Sequence, residues 1–345
     1  METKRKTAII TAIITAIIMC VLLFLLPDVI SFISMLGSQT ASGNEIIGAL
    51  TFLPLQLLLP CVLISLVYVR KTKTSLGDFF RLNPITGKEL LLLTVVALVL
   101  PFFINTVIHY SSKVFGAPEI ISPVQADGNA SFLKQAGTFL FILFSMSIIP
   151  GLCEEAFFRG ALFSLLKDSK AKTAVMVLIS ALVFAIFHKN PAQLVYTFLI
   201  GIVFGLCVYI TNSLWAGAFV HALYNFSYAL RYAVDVEKYT FIGKVTGIIA
   251  NTNHILISLT AAALIAAVLS YMYQQRKKAG SLGRPCPIVP ISLFYPHGLA
   301  GGFEGLFVQL LIPKHKPSID VHLLDAKGLA HIGDAVHHGL LIKQG

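Results

Sequence analysis

Eight stretches of the chain are almost unbroken apolar runs, at 8–26, 46–69, 89–110, 136–166, 173–188, 192–211, 214–232 and 252–273. Short polar connections separate them. A helix needs about 20 apolar residues to cross the hydrocarbon core of a bilayer. Inside that core every backbone polar group must be paired within its own segment, so helices are the elements these runs predict. The expected fold is all-α: a polytopic membrane protein of about eight transmembrane helices. The run at 136–166 is long enough to tilt or protrude, whereas 173–188 is short. The first run follows Lys4, Arg5 and Lys6. It is longer than a usual signal-peptide core and no A-x-A site follows it, so it reads as a retained helix.

Composition sharpens this picture. The 345 residues are 56% hydrophobic and 12% charged, with a mean hydropathy of +0.82. Soluble domains carry about 25% charged residues. A soluble globule, a disordered chain and a small secreted scaffold are all excluded. The net charge of +10 would suggest nucleic acid in a soluble protein. Here the basic residues sit between apolar runs, and no RNP-like or zinc-finger pattern is present, so no nucleic-acid partner is expected. With the N-terminus inside, the cytoplasmic ends and loops hold Lys4, Arg5, Lys6, Arg70, Lys71, Lys73, Arg81, Lys88, Lys167, Lys170, Lys172, Arg276, Lys277 and Lys278. The outer loops hold Lys113, Lys134, Lys189, Arg231, Lys238 and Lys244. The positive-inside bias places both termini in the cytoplasm. The compact loops suit a prokaryotic plasma membrane.

The chain divides into N-terminal transmembrane helices (1–135), a core (136–232), a segment with the last transmembrane helix (233–275) and an irregular tail (276–345). The tail holds 6 of the 15 prolines and 6 of the 10 histidines and no run able to span. Its histidines lack metal-ligand spacing. Five cysteines with no C-x-x-C spacing argue against a disulfide framework or a thiolate zinc site. No internal repeat is evident, which weakens an inverted-repeat transporter reading. Gly201-x-x-x-Gly205 suggests close helix packing.

Ionisable side chains within a span are expensive and mark function by default. Glu154, Glu155 and Arg159 share the fourth run. Glu155 and Arg159 are i,i+4 with the acid first, the favourable order for an ion pair. Glu154 points about 100° away around the helix and has no partner at that spacing. One acid is thus structural and the other free. Pro150 removes the bond to the Met146 carbonyl and should loosen the helix there. His188 ends the fifth run, and His221 and Asn225 share one face of the seventh. Counting ~1.5 Å per residue from a hairpin near Lys170 brings Glu155 and His188 to one depth. His221 and Asn225 lie mid-span.

These residues form three ordered motifs: Glu154-Glu155…Arg159, Phe184…His188 and His221…Asn225. Together they resemble the CAAX protease and bacteriocin-processing (CPBP, or Abi) family of intramembrane endopeptidases, which includes the type II CAAX prenyl endopeptidase. The resemblance covers about 136–232. It implies an endopeptidase acting on a membrane-associated peptide or protein. By this resemblance Glu154 is the general base that activates water, with His188 assisting. His221 and Asn225 form the oxyanion hole, and Glu155, Arg159 and Phe184 support the site.

No cofactor is expected on that reading. A zinc-dependent version, with Glu154, His188 and His221 as ligands, stays open, although His-Glu-x-x-His is absent. No Gly-x-Ser-x-Gly motif points to a serine nucleophile. A proton-linked transporter or a non-catalytic scaffold is the rival class, because such proteins also bury Glu and His. Prenylated C-terminal peptides, bacteriocin leaders and other membrane-associated peptides remain open as substrates.

Overall fold

Helices account for all the regular structure among the described residues, as the apolar runs require. The computed structural model describes residues 59–116, 132–168, 172–188, 190–233 and 254–282, together with 244, 247 and 248. The run at 8–26, most of 46–69 and nearly all of the expected tail lie outside them. In chain order the helices are α1 (Leu59–Thr72), the short α2 (Leu76–Phe80), α3 (Gly87–Phe115), a long composite α4 from Phe132 to Asp168, α5 (Thr173–Phe187), α6 (Pro191–Thr211), α7 (Leu214–Ala233) and α8 (Ile255–Lys278). Four stretches are long and apolar enough to cross a membrane: Gly87–Phe115, Gln135–Lys167, Pro191–Thr211 and Ile255–Lys278. The protein is thus an integral membrane protein, all-helical among the described residues. Helix α5, with 15 residues, is short for a span. Helix α7 carries His221, Tyr224, Asn225, Ser227 and Tyr228 along its length.

Local chemistry sets the helix ends. Thr86 and Glu89 form a reciprocal capping box at the start of α3, which satisfies two otherwise orphaned amide donors. Asn190 caps α6 by accepting from the Ala192 amide at 2.9 Å, with Pro191 in the first turn. The last helix runs to Lys278, beyond the boundary expected at 275. Arg276 is drawn into the fold because its Nε donates to Glu89 Oε1 at 2.6 Å. This pair joins the start of α3 to the end of α8. Ser258 donates to the Phe103 carbonyl at 3.1 Å further along, so the two helices run antiparallel.

Glycines set how closely α6 approaches α5. A Cβ on Gly201 would lie 3.0 Å from Ala181, and one on Gly205 would lie 3.2 Å from Val177 Cγ1. The Gly201-x-x-x-Gly205 spacing therefore works as a packing face.

Helix α4 is interrupted by two π-turns, Phe144–Ile148 and Ala156–Leu162. The first lies just before Pro150, where loosening is expected because proline brings no amide to the Met146 carbonyl. Ser147 in that turn donates to the Ala222 carbonyl of α7 at 2.6 Å. The second was not anticipated from the sequence. A π-turn replaces the i,i+4 ladder by i,i+5 bonds, and groups from outside the helix here bond its carbonyls. Ser180 donates to the Phe158 carbonyl at 3.0 Å. Arg81 Nη1 donates to the Arg159 carbonyl at 3.0 Å and to Gly160 at 3.4 Å.

Arg81 is buried, sits in left-handed backbone geometry (φ 54°) and closes α2. Its own carbonyl accepts from the Leu214 amide at 2.9 Å. One residue thus holds both the second π-turn of α4 and the first turn of α7. Arg81→Ala strips buried carbonyls of their donor, a loss worth about 1–3 kcal/mol. Thermal unfolding in detergent should show a lowered midpoint. A wild-type midpoint would remove Arg81 from the architecture.

Candidate active site

The acids on α4 lie between the two π-turns, in the α-helical stretch Ile149–Glu155. That stretch packs against α7, and Gly151 makes the approach close. A Cβ there would meet the Ala218 carbonyl and Ala222 at 3.0 Å. The two neighbouring glutamates diverge as helical spacing requires. Glu155 is fully buried. Its Oε1 accepts from Arg159 Nη1 at 2.6 Å and lies 3.1 Å from His221 Nδ1. Glu154 turns instead to a cavity of about 290 Å³.

Arg159 is also fully buried. Besides Glu155 it donates from Nη2 to the Gly201 carbonyl at 2.9 Å. Three aromatic rings surround the guanidinium, whose carbon lies 4.8 Å from the Phe184 centroid, 5.7 Å from Phe204 and 5.8 Å from Phe158. Cation–π attraction is strongest in such desolvated settings. The i,i+4 ion pair expected from sequence is therefore present, within an aromatic cage that sequence spacing did not reveal.

His221 reaches both acids. Its Nδ1 faces Glu155, while its Nε2 lies 3.7 Å from Glu154 Oε2. The ring stacks on Phe204 at 4.5 Å with an interplanar angle of 24°, and Phe184 meets it edge-on at 5.8 Å. A carboxylate at one ring nitrogen selects the proton there. Nδ1–H therefore points at Glu155, and Nε2 is the atom facing Glu154.

His188 is fixed by the end of its own helix. At the close of α5 its amide turns to the Ala185 carbonyl at 3.2 Å. The ring Nδ1 takes the place beside the Phe184 carbonyl, at 2.9 Å. A carbonyl only accepts, so Nδ1 carries the proton and Nε2 of the neutral ring keeps a lone pair. Glu154, His188, His221, Asn225 and Phe184 all line the cavity. The four residues expected to do chemistry thus share one cavity, and the supporting Glu155 and Arg159 lie behind it.

Other lining residues were not singled out from sequence. Tyr196 and Gln193 come from α6, and Tyr224 and Tyr228 from α7. Tyr228 donates to Asn105 Oδ1 on α3 at 2.6 Å. Tyr224 and Tyr228 follow His221 at three and seven residues, so the helical face carrying His221 and Asn225 held the signal for them. Phe204 and Arg81 had no such marker.

The zinc alternative would draw on the same side chains. Among the described residues no group of three His, Cys, Asp or Glu side chains is gathered to hold a metal ion. Nδ1 of His221 is committed to Glu155 and Nδ1 of His188 to a carbonyl. Glu154, His188 and His221 share a cavity, and a ring whose Nδ1–H is held by a carboxylate or carbonyl presents its Nε2.

Residues 136–227 match the family model for "Type II CAAX prenyl endopeptidase Rce1-like" proteins. The matched stretch contains all seven motif residues, from Glu154 to Asn225. It supports the resemblance to the CPBP family and makes the similarity one to membrane proteases. The chain matches no curated protein and no solved structure.

Two variants probe the buried pair. Arg159→Ala leaves the Glu155 charge uncompensated, which costs about 3–5 kcal/mol, and folded yield in detergent should fall sharply. Gly217→Ala attacks the same carboxylate from α7, because a Cβ there would lie 2.7 Å from Glu155 Oε2 and 2.6 Å from Val208 Cγ2. Overpacking of this kind costs about 1–3 kcal/mol. Wild-type melting of both variants would contradict a structural role for the pair.

Proposed function

We propose that this protein is an intramembrane endopeptidase that hydrolyses a peptide bond of a membrane-associated peptide or protein with water activated by Glu154. The observation that carries the reading is the unequal fate of two adjacent acids. Glu155 is sealed behind the cavity wall and held by Arg159 and His221, whereas Glu154 faces the cavity.

In the proposed reaction a water molecule lies between Glu154 and His188. Glu154 takes its proton as the water oxygen attacks the scissile carbonyl carbon, and Nε2 of His188 accepts a hydrogen bond from the same water. The carbonyl π electrons move onto oxygen. Asn225 and His221 donate to that oxyanion, where preorganised donors in a site shielded from water are worth most. The C–N bond then breaks, and Glu154 returns its proton to the leaving amine. No covalent nucleophile is needed.

The Glu155 contact adds a condition. His221 donates from Nε2 only when its ring carries both protons.

Glu154→Gln keeps the shape of the base and removes its basicity. Cleavage of a membrane-peptide substrate should disappear while the variant accumulates normally in the membrane. Undiminished cleavage would overturn the assignment. Asn225→Ala should lower kcat by about 10²–10³ and leave KM within a few-fold, because the donor acts on charge present only in the transition state. A destabilised variant with wild-type kcat would make Asn225 a packing residue.

Chelation followed by elemental analysis addresses metal. Activity that persists in metal-free protein supports the glutamate reading. Activity that is lost and returns with added zinc replaces it with the zinc-dependent version.

A further inference from the structure

A peptide that enters a cavity within a bilayer brings its own backbone with it. Each amide N–H that gives up water on the way needs an acceptor from the protein. The groups assigned to the reaction leave that need open. His221 and Asn225 are donors aimed at the scissile carbonyl, and Glu154 is taken up by the attacking water. Tyr224 and Tyr228 stand on the same helix as the two donors and also line the cavity.

The protons of these phenols are directed. Tyr228 gives its one hydroxyl proton to Asn105 Oδ1 of α3, at 2.6 Å, and a carboxamide oxygen only accepts. Tyr224 is hydrogen-bonded in turn to Tyr228. With the Tyr228 proton committed to Asn105, the proton in that second bond is Tyr224's own. The donors therefore run one way, from Tyr224 to Tyr228 to Asn105. Tyr224 is left to present an oxygen lone pair rather than a proton.

Packing holds the arrangement. Asn105 and Tyr224 are both buried. The two phenol rings lie 5.1 Å apart. Tyr224 meets edge-on, at 6.4 Å, the same Phe204 ring that stacks on His221. Joining α3 to α7 requires only the bond between Tyr228 and Asn105. Tyr224 adds nothing to that link, yet it stands at the cavity wall with its proton turned aside.

We infer that Tyr224 is a substrate-binding residue whose phenol oxygen accepts a backbone N–H of the peptide, and that Tyr228 and Asn105 are positioning residues that keep its proton occupied. The word substrate rests on the protease reading above, which this inference deepens: the segment to be cut is held as an extended strand through its main chain. Tyr224, Asn225 and Tyr228 fall within ~6 Å of helix rise. An extended peptide advances ~3.4 Å per residue. The N–H concerned therefore lies within about two residues of the scissile bond.

Binding to the Glu154→Gln protein tests this without turnover. Fluorescently labelled decapeptides are screened in detergent micelles, by anisotropy, for the tightest binder. Each backbone amide of that peptide is then replaced in turn by an ester, which removes one N–H and keeps the shape. One ester should weaken binding by about 3–10-fold, the worth of a single hydrogen bond. When Tyr224→Phe is added, the all-amide peptide should bind as weakly as that ester does, and the ester should cost nothing further. Tyr228→Phe removes the group that holds the Tyr224 proton, so it should shrink the same penalty, and it serves if Tyr224→Phe does not fold. A purely structural tyrosine would shift melting and all affinities together without singling out one amide. Ester penalties unchanged by both substitutions, or a Glu154→Gln protein that binds no decapeptide, overturn the inference. If the ester signature appears while wild-type protein cleaves nothing, the protease reading fails alone. If wild-type protein cleaves and no ester penalty depends on Tyr224, this inference fails alone.

Discussion

The Glu155–Arg159 ion pair is the constraint to which the rest of the bundle is fitted, because neither partner has any water to fall back on. A buried charge left unpaired costs several kcal/mol (about 3–5 when one partner is removed), so every neighbouring helix contributes something to keep the pair made. Helix α6 offers the Gly201 carbonyl and the ring of Phe204, α5 offers Phe184, and α7 offers the His221 ring. Glycine at 217 lets α7 come close enough to do so. The pair fixes His221, and His221 in turn reaches the acid beside it. Order at the cavity wall is thus inherited from a salt bridge that never meets the substrate.

Much of this was legible in the sequence. The apolar runs gave helix positions, although α4 begins at Phe132, four residues before the expected run, and α8 ends at Lys278, five residues past it. The i,i+4 spacing gave the Glu155–Arg159 pair and the shared face of His221 and Asn225. The hairpin depth argument set Glu155 level with His188, and it is the neighbouring Glu154 that lines the cavity with His188. What escaped notice depended on contacts between distant segments. Arg81 reaches α4 across 78 positions, and nothing in its local run distinguishes it from a cytoplasmic-loop cation. Phe204 is one aromatic among many in an apolar helix until its plane is seen under His221. The second π-turn was equally silent, since no proline or glycine pair announces it in the way Pro150 announces the first.

Two neighbouring carboxylates come to differ without any difference in residue type. A step of about 100° around a helix is enough to turn one inward to a guanidinium and the other toward open space. The aromatic residues add to the difference in environment: Phe184 and Phe204 pack on the guanidinium that holds Glu155, whereas Glu154 lines the cavity. His188 shows the same economy, because the end of a helix supplies the carbonyl that fixes its ring.

The second π-turn bears on how such a helix tolerates change in length. An i,i+5 ladder accommodates one residue more per turn than the α-helix around it. Losing one residue between Ala156 and Leu162 would let the ladder revert to i,i+4 and absorb the deletion, so that the turns beyond it keep their facing relative to the acids. A deletion in the regular α-helical part of α4 has no such reserve and would rotate everything beyond it by about 100°. A π-turn is therefore the part of α4 that can give up a residue at least cost to the orientation of the helix beyond it.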